Sequence, residues 1–140
     1  MLVSLFYVSR AVGPQTTTVT SSLLTTARAH NAAHDISGVL FQGQGMYLQL
    51  LEGERSAVNR LYARILADQR HADAEILFLH EVTSRRFSTW SMAHVALSGM
   101  DPMVQMNHPE FDPYAASAQG AARMLDDFIA SGVRIDTPAP

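Results

Sequence analysis

The chain has 140 residues, enough for one domain with a real core and too few for two comfortable ones. Apolar residues make up 47%, charged residues 16%, and the formal charge is −3, which excludes a disordered chain and removes the basic footprint of a nucleic-acid binder. With no cysteine there can be no disulfide, thiolate metal site, thiol nucleophile or cofactor held through sulfur. No apolar run approaches the ~18 residues of a membrane span. The opening MLVSLFYVSR lacks a basic n-region and a small-residue cleavage site, so a cytoplasmic protein without membrane or nucleic-acid partners is expected.

Residues 2–9, LVSLFYVS, suit a strand that is apolar on both faces, with Val3, Leu5 and Tyr7 on one side and Leu2, Phe6 and Val8 on the other. GPQTTT then breaks the chain and offers hydroxyl N-caps. A helix is predicted from Thr17 to Ala33, with Val19, Leu23, Ala27 and Asn31 on one stripe, although its threonines weaken the propensity. SGVLFQGQGMYLQLLEGE reads as a hairpin turning across Gln42-Gly43-Gln44-Gly45. A second helix should run from about Arg55 to Asp68, since Val58, Leu61, Tyr62, Ile65 and Leu66 recur at helical spacing. AEILFLHEV (74–82) and WSMAHVAL (90–97) complete the strands.

The order β-α-β-β-α-β-β predicts an α+β, ferredoxin-like sheet with one extra strand and both helices on one face. Strands that are apolar on both sides need cover on the other face too. The stretch GAARMLDDFIASGV (120–133) supplies it: Met124, Leu125, Phe128 and Ile129 form a narrow stripe ended by Gly132. Residues 1–97 then form the main domain, and 98–140 a helical extension tethered through the Pro-containing stretch 101–113.

One polar residue is out of place. Gln49 sits inside the apolar run MYLQLL, and an unpaired buried carboxamide group costs ~1–3 kcal/mol. Alternation puts Gln49 on the face of Tyr47 and Leu51. If Tyr7 points the same way, the two meet beneath the helix pair, and Asn31 ends the helical stripe above them. A phenol and two carboxamides converging in an apolar cleft would suit a flat heteroaromatic ligand. Taken singly, Tyr7 reads more readily as a core tyrosine, and Asn31 at least as readily as a left-handed helix C-cap.

The stretches LFYVSRA (5–11), ARAHNAAHDISGVLFQGQGMYLQLLEGE (27–54), ILADQRHADAEIL (65–77) and RRFSTWSMAH (85–94) resemble the BLUF domain, the flavin-binding blue-light sensor, in order and over roughly residues 2–97. The resemblance implies a noncovalent flavin, FAD ahead of FMN, lying between the two helices. Tyr7 would bond Gln49, Gln49 the ring near N5 and O4, and Asn31 its pyrimidine edge. His30 would flank the ring, and Arg70 would lie near the ribityl-phosphate end. The apolar wall would include Ile36 or Leu40, and Ile65 or Leu66. Trp90 and Met92 match a fifth-strand pair whose burial differs between dark and lit states.

Likeness to the small members of that family implies a non-enzymatic photoreceptor that signals to an unidentified protein, as a homo-oligomer. With no cysteine, light cannot act through a flavin–cysteinyl adduct. The family mechanism is proton-coupled electron transfer from Tyr7 through Gln49. Rival readings are a ferredoxin-like hydrolase of acylphosphatase type and a plain ligand-binding module of the same fold. His30 and His34 stand at i, i+4 spacing, but no HExxH glutamate or third ligand accompanies them.

Overall fold

The computed structural model describes residues 1–87, 92–97, 112–131 and 133–134. Strand β1 (Leu2–Ala11) leads into helix α1 (Thr17–Ala33), which is followed by the hairpin of β2 (Ser37–Gly43) and β3 (Met46–Glu54). Helix α2 (Arg55–Leu66), β4 (His71–Glu81), β5 (Ala93–Ala96), a short 3-10 helix (Pro113–Ala115), helix α3 (Ala118–Ser131) and β6 (Val133–Arg134) complete it. Among the described residues, no helix is long and apolar enough to cross a membrane.

Local chemistry sets these boundaries. Thr16 caps α1 by accepting from the Val19 amide at 3.2 Å. At the other end Asn31 is not the cap: it lies inside α1, and its carbonyl accepts from the amides of His34 and Ile36. The left-handed residue that turns the chain is Asp35, with φ 54. The hairpin closes through Gln44 (φ 54) and Gly45 (φ 74), the two positive φ values that a tight turn between right-twisted strands requires. Gln15 clamps that turn, donating to the Met46 carbonyl at 2.7 Å and accepting from the Gly45 amide at 2.9 Å.

The sheet order is β4-β1-β3-β2-β5-β6. The pairs β1–β3, β1–β4 and β2–β3 are antiparallel, and β5 runs parallel to β2. This is the α+β, ferredoxin-like arrangement expected, with β5 as the additional strand. β1 continues two residues beyond the predicted end because Arg10 and Ala11 still find partners in Met46 and His71. For the same reason β4 starts at His71 rather than 74. The predicted helix 120–133 is instead Ala118–Ser131, since Val133 and Arg134 pair with β5 as an unforeseen sixth strand. The predicted start of the fifth strand, residues 90 and 91, lies outside the described residues.

Both faces of the central strands are buried. Val3, Leu5, Tyr7, Leu40, Tyr47 and Leu51 pack toward α1 and α2, meeting Leu24, Val58 and Leu61. Phe6, Val8, Phe41, Leu48 and Leu50 face the other way and are covered by Ala121, Met124, Leu125 and Phe128 of α3. The C-terminal helix thus closes the face left bare by the first two, as the two-sided apolar pattern requires. At the edge of that second core the buried Glu52 carboxylate accepts from the amides of Arg86 and Phe87, at 2.9 and 3.0 Å, fixing the start of the connection from β4 to β5.

Candidate functional site

The central strands and the first two helices line a pocket open on one side to solvent, with about 830 Å³ of empty space including the solvent at its mouth. Its floor is made by Tyr7 of β1, Leu40 of β2, and Tyr47 and Gln49 of β3. The register of β1 against β3 sets Tyr7 directly opposite Gln49, so the two side chains must share a face. The α1 wall consists of Leu23, Thr26, Ala27, His30 and Asn31, a helical stripe at i, i+3, i+4, i+7 and i+8. Opposite it stand Leu61, Arg64 and Ile65 of α2, and the mouth carries Asp68, Arg70 and His71.

The Tyr7 hydroxyl donates to Oε1 of Gln49 at 2.5 Å, in a buried bond between residues 42 apart in sequence. Burial pushes the Tyr7 phenol far above its ordinary value, with Tyr62 and Asp68 adding to the effect, so its proton is held firmly. The Tyr62 ring lies against that of Tyr7, centroids 5.4 Å apart. On its other side Gln49 donates through Nε2 to the Met92 sulfur at 3.5 Å. A thioether is a weak acceptor, so this edge of the carboxamide keeps donor capacity for a ligand in the pocket.

Met92 is itself buried, and its carbonyl accepts from Nε of Arg28 on α1 at 3.1 Å. Residues of β3, α1 and the head of β5 therefore meet around one methionine. His94, opposite Leu40 in the parallel pair, is buried, and desolvation followed by the Arg28 charge lowers its pKa.

The mouth is polar and ordered by ion pairing. Arg70 holds Asp68 through Nη2 to Oδ2 at 2.6 Å and Nε to Oδ1 at 3.0 Å. The hydrogen bond from Arg70 keeps the Asp68 carboxyl below its usual range. His71 is fixed between Ser9 Oγ and the Ile65 carbonyl. Arg64 reaches Nδ1 of His30 at 2.6 Å, and His30 stacks on His34 with centroids 4.1 Å apart. Burial, His34 and Arg64 all lower the His30 pKa, in that order, which favours the neutral ring.

Tyr7, Asn31, Gln49, His30, Arg70 and Ile65 therefore line one pocket, as the sequence reading grouped them. Of the alternative wall residues, Leu40 and Ile65 line it. Ile36 packs deeper in the same core, and Leu66 is 53% exposed. Met92 stands beside Gln49, whereas Trp90 lies outside the described residues. Sequence reasoning missed Tyr47, Arg64, Asp68 and His71. Alternation sets Tyr47 on the strand face of Gln49 without marking it as a site residue, and Arg64 follows Leu61 at i+3 on the helix. The roles of Asp68 and His71 depend on how the chain turns after α2, which carries no periodic signal. The set of groups, apolar walls with two carboxamides at depth and cations at the rim, suits a flat heteroaromatic ligand with an anionic tail.

Comparison with known proteins agrees with this fold. The sequence model of a family described as BLUF, sensors of blue-light using FAD, matches residues 2–93. The photoactivated adenylate cyclase subunit beta of Euglena gracilis is 35% identical over 92 residues; the match takes in 65% of this chain and 11% of that protein. The chain thus spans about a tenth of the length of that relative. Among solved structures, BlsA in its ground state superposes with a TM-score of 0.82 at 28% identity, covering 100% of this chain and 92% of that one. The dark-state structure of BlrB, a BLUF protein, gives 0.72 at 29% identity, covering 89% and 94%.

Proposed function

The chain belongs to the BLUF family of blue-light sensors that use flavin, and from that premise we propose that it senses blue light through a noncovalent flavin held between α1 and α2, with the Tyr7–Gln49 pair as its photochemical switch. The observation that carries this reading is the buried 2.5 Å bond between Tyr7 and Gln49 at the floor of the pocket between α1 and α2. Asn31 and Gln49 would hold the polar edge of the flavin, Ile65 and His30 would flank it, and Arg70, braced by Asp68, would take the phosphate end. FAD is favoured over FMN as the ligand because the family is described by it.

The flavin, when bound, supplies the absorption of blue light and, in its excited state, a strong oxidant. Tyr7 would be the electron donor to that oxidant: its buried phenol holds its proton in the dark and would give it up only on losing an electron. Gln49, whose Oε1 already accepts the Tyr7 hydroxyl, would take that proton on towards the reduced flavin. Once electron and proton were back on Tyr7, Gln49 would be left rotated or tautomerised, with a changed set of hydrogen bonds and no net change of redox state. The change would reach Met92 directly through the contact with Nε2, so the signal would leave by way of β5, which follows Met92 in the chain.

Residues 1–97 act as the sensor and 98–140 as an extension through which an effector is addressed. The Euglena relatives are named for an adenylate cyclase activity; for this chain the receiver is a signalling protein reached in the cytoplasm. The test is an absorption spectrum of purified protein before and after blue light. A yellow protein with a reversible red shift is expected. A colourless preparation that does not take up added FAD or FMN would overturn the proposal.

A further inference from the structure

Strand β4 closes one end of the sheet, so the outer side of its backbone faces no other strand among the described residues. Ile76 and Leu79 on this edge are 48% and 45% exposed. In a regular strand, residues three apart point to opposite faces. Here Ile76 lies opposite Tyr7 and Leu79 opposite Leu5, with a register shift between them that makes Leu77 the extra residue of a bulge. Tyr7 and Leu5 both face α1 and α2, so Ile76 and Leu79 share that face. Helix α2 rests on β1 and β3 and leaves them in solvent. Leu77 and Phe78 turn to the α3 face, as do Glu75, opposite Val8, and His80, opposite Ser4.

We propose that two copies of this chain join edge to edge through β4, antiparallel about a two-fold axis perpendicular to the sheet, with Ile76 opposite the partner's Leu79 and Glu75 opposite the partner's His80. Around such an axis directly opposite side chains must lie on the same face. In this register they do: Ile76 and Leu79 on the helix side, Leu77 with Phe78 and Glu75 with His80 on the α3 side. A slip by one residue in one direction sets Glu75 against the partner's Glu81, and in the other direction against the partner's Leu79. The pairing is thus specified by face, by apolar contact and by charge together. Edge strands that must stay single are guarded by charge or proline at their centre. The centre of β4 reads ILFL, and its charged residues flank this run.

The chain has no cysteine, so an introduced pair reports without background. The experiment uses the full, flavin-loaded protein in the dark. Sedimentation over a concentration series should give twice the 15.3 kDa mass of one chain, and Ile76→Lys should reduce it to one. The doubly substituted Glu75→Cys, His80→Cys protein should form a covalent dimer on mild oxidation, because opposed strand positions lie within disulfide reach. Glu75→Cys with Glu81→Cys, on opposite faces, should not. A single-chain mass throughout, a dimer that survives Ile76→Lys, or linkage in the second pair rather than the first would each overturn the proposal. None of these readouts depends on photochemistry, so they stand or fall apart from the assignment of Tyr7 and Gln49.

Discussion

The buried bond between Tyr7 and Gln49 can be weighed by a double-mutant cycle on the flavin-free chain. Gln49→Leu fits an apolar strand with little change in volume, but it leaves the Tyr7 hydroxyl, in a residue only 4% exposed, without its acceptor. Tyr7→Phe leaves Oε1 of Gln49 without its donor. Each single change should therefore cost ~1–3 kcal/mol, the penalty for one buried polar group without a partner. The double variant replaces both ends by apolar groups, so its cost should fall well short of the sum, with a coupling energy of ~1–2 kcal/mol. Urea unfolding of the four proteins measures this directly, and each kcal/mol should also move the melting midpoint by a few degrees. Loaded with flavin, Gln49→Leu should keep its yellow colour and lose the reversible red shift, and Tyr7→Phe should lose it too. Strictly additive penalties would show that the two side chains do not depend on each other. An unchanged photocycle in Gln49→Leu would refute the switch.

Asn31→Ala should leave the photocycle in place and weaken flavin affinity about tenfold, the equivalent of ~1.4 kcal/mol, as read from fluorescence titration of free flavin. Phe128→Ala, which opens a void between α3 and Phe41 where the rings stand 5.6 Å apart, should cost ~3–5 kcal/mol in denaturant. Truncation after residue 97 should go further and cause aggregation, seen by light scattering, because it bares the Phe6, Phe41 and Leu48 face. Asp68 titrates below its usual value because Arg70 bonds its charged form. Its contribution to stability is therefore complete above the ordinary carboxylate value of ~3.9 and is lost as pH falls through the lower folded value. Asp68→Asn should remove that component, so the acid-unfolding curves of variant and parent should converge at the lowest pH.

Much of this was legible in the sequence because β-strand alternation is a rigid rule. Placing Gln49 on the face of Tyr47, and Tyr7 on that of Leu5, was enough to bring phenol and carboxamide together once β1 and β3 became neighbours. Two-sided apolar strands likewise demanded the cover that Met124, Leu125 and Phe128 supply. Features that break the period were not legible. The bulge at Leu77 returns Leu79 to the face of Ile76, and no residue type announces it. Glu52 reads as a polar interruption near a strand end, yet it is 2% exposed, because the amides of Arg86 and Phe87, more than thirty positions later, bond its carboxylate. Asp68, Arg70 and His71 belong to the site because of the path of one short loop, which composition does not encode. The pairing of Val133 and Arg134 with β5 was hidden by Gly132, which reads as a helix stop.

The strand order also carries a kinetic consequence. Among the described strands, only β2 and β3 pair across a tight turn, at Gln44 and Gly45. Pairing β1 to β3 must close a loop of 42 residues at Tyr7 and Gln49, and β1 to β4, like β2 to β5, joins segments more distant still. Loop closure precedes the gain from such contacts, so the hairpin forms early and the outer strands are added late and slowly. The floor of the pocket comes into being at the moment β1 docks on β3, before β5 and α3 need be in place. A ligand present during folding would thus meet its site on a half-built sheet, and uptake of colour would time the docking of the first strand rather than the completion of the molecule.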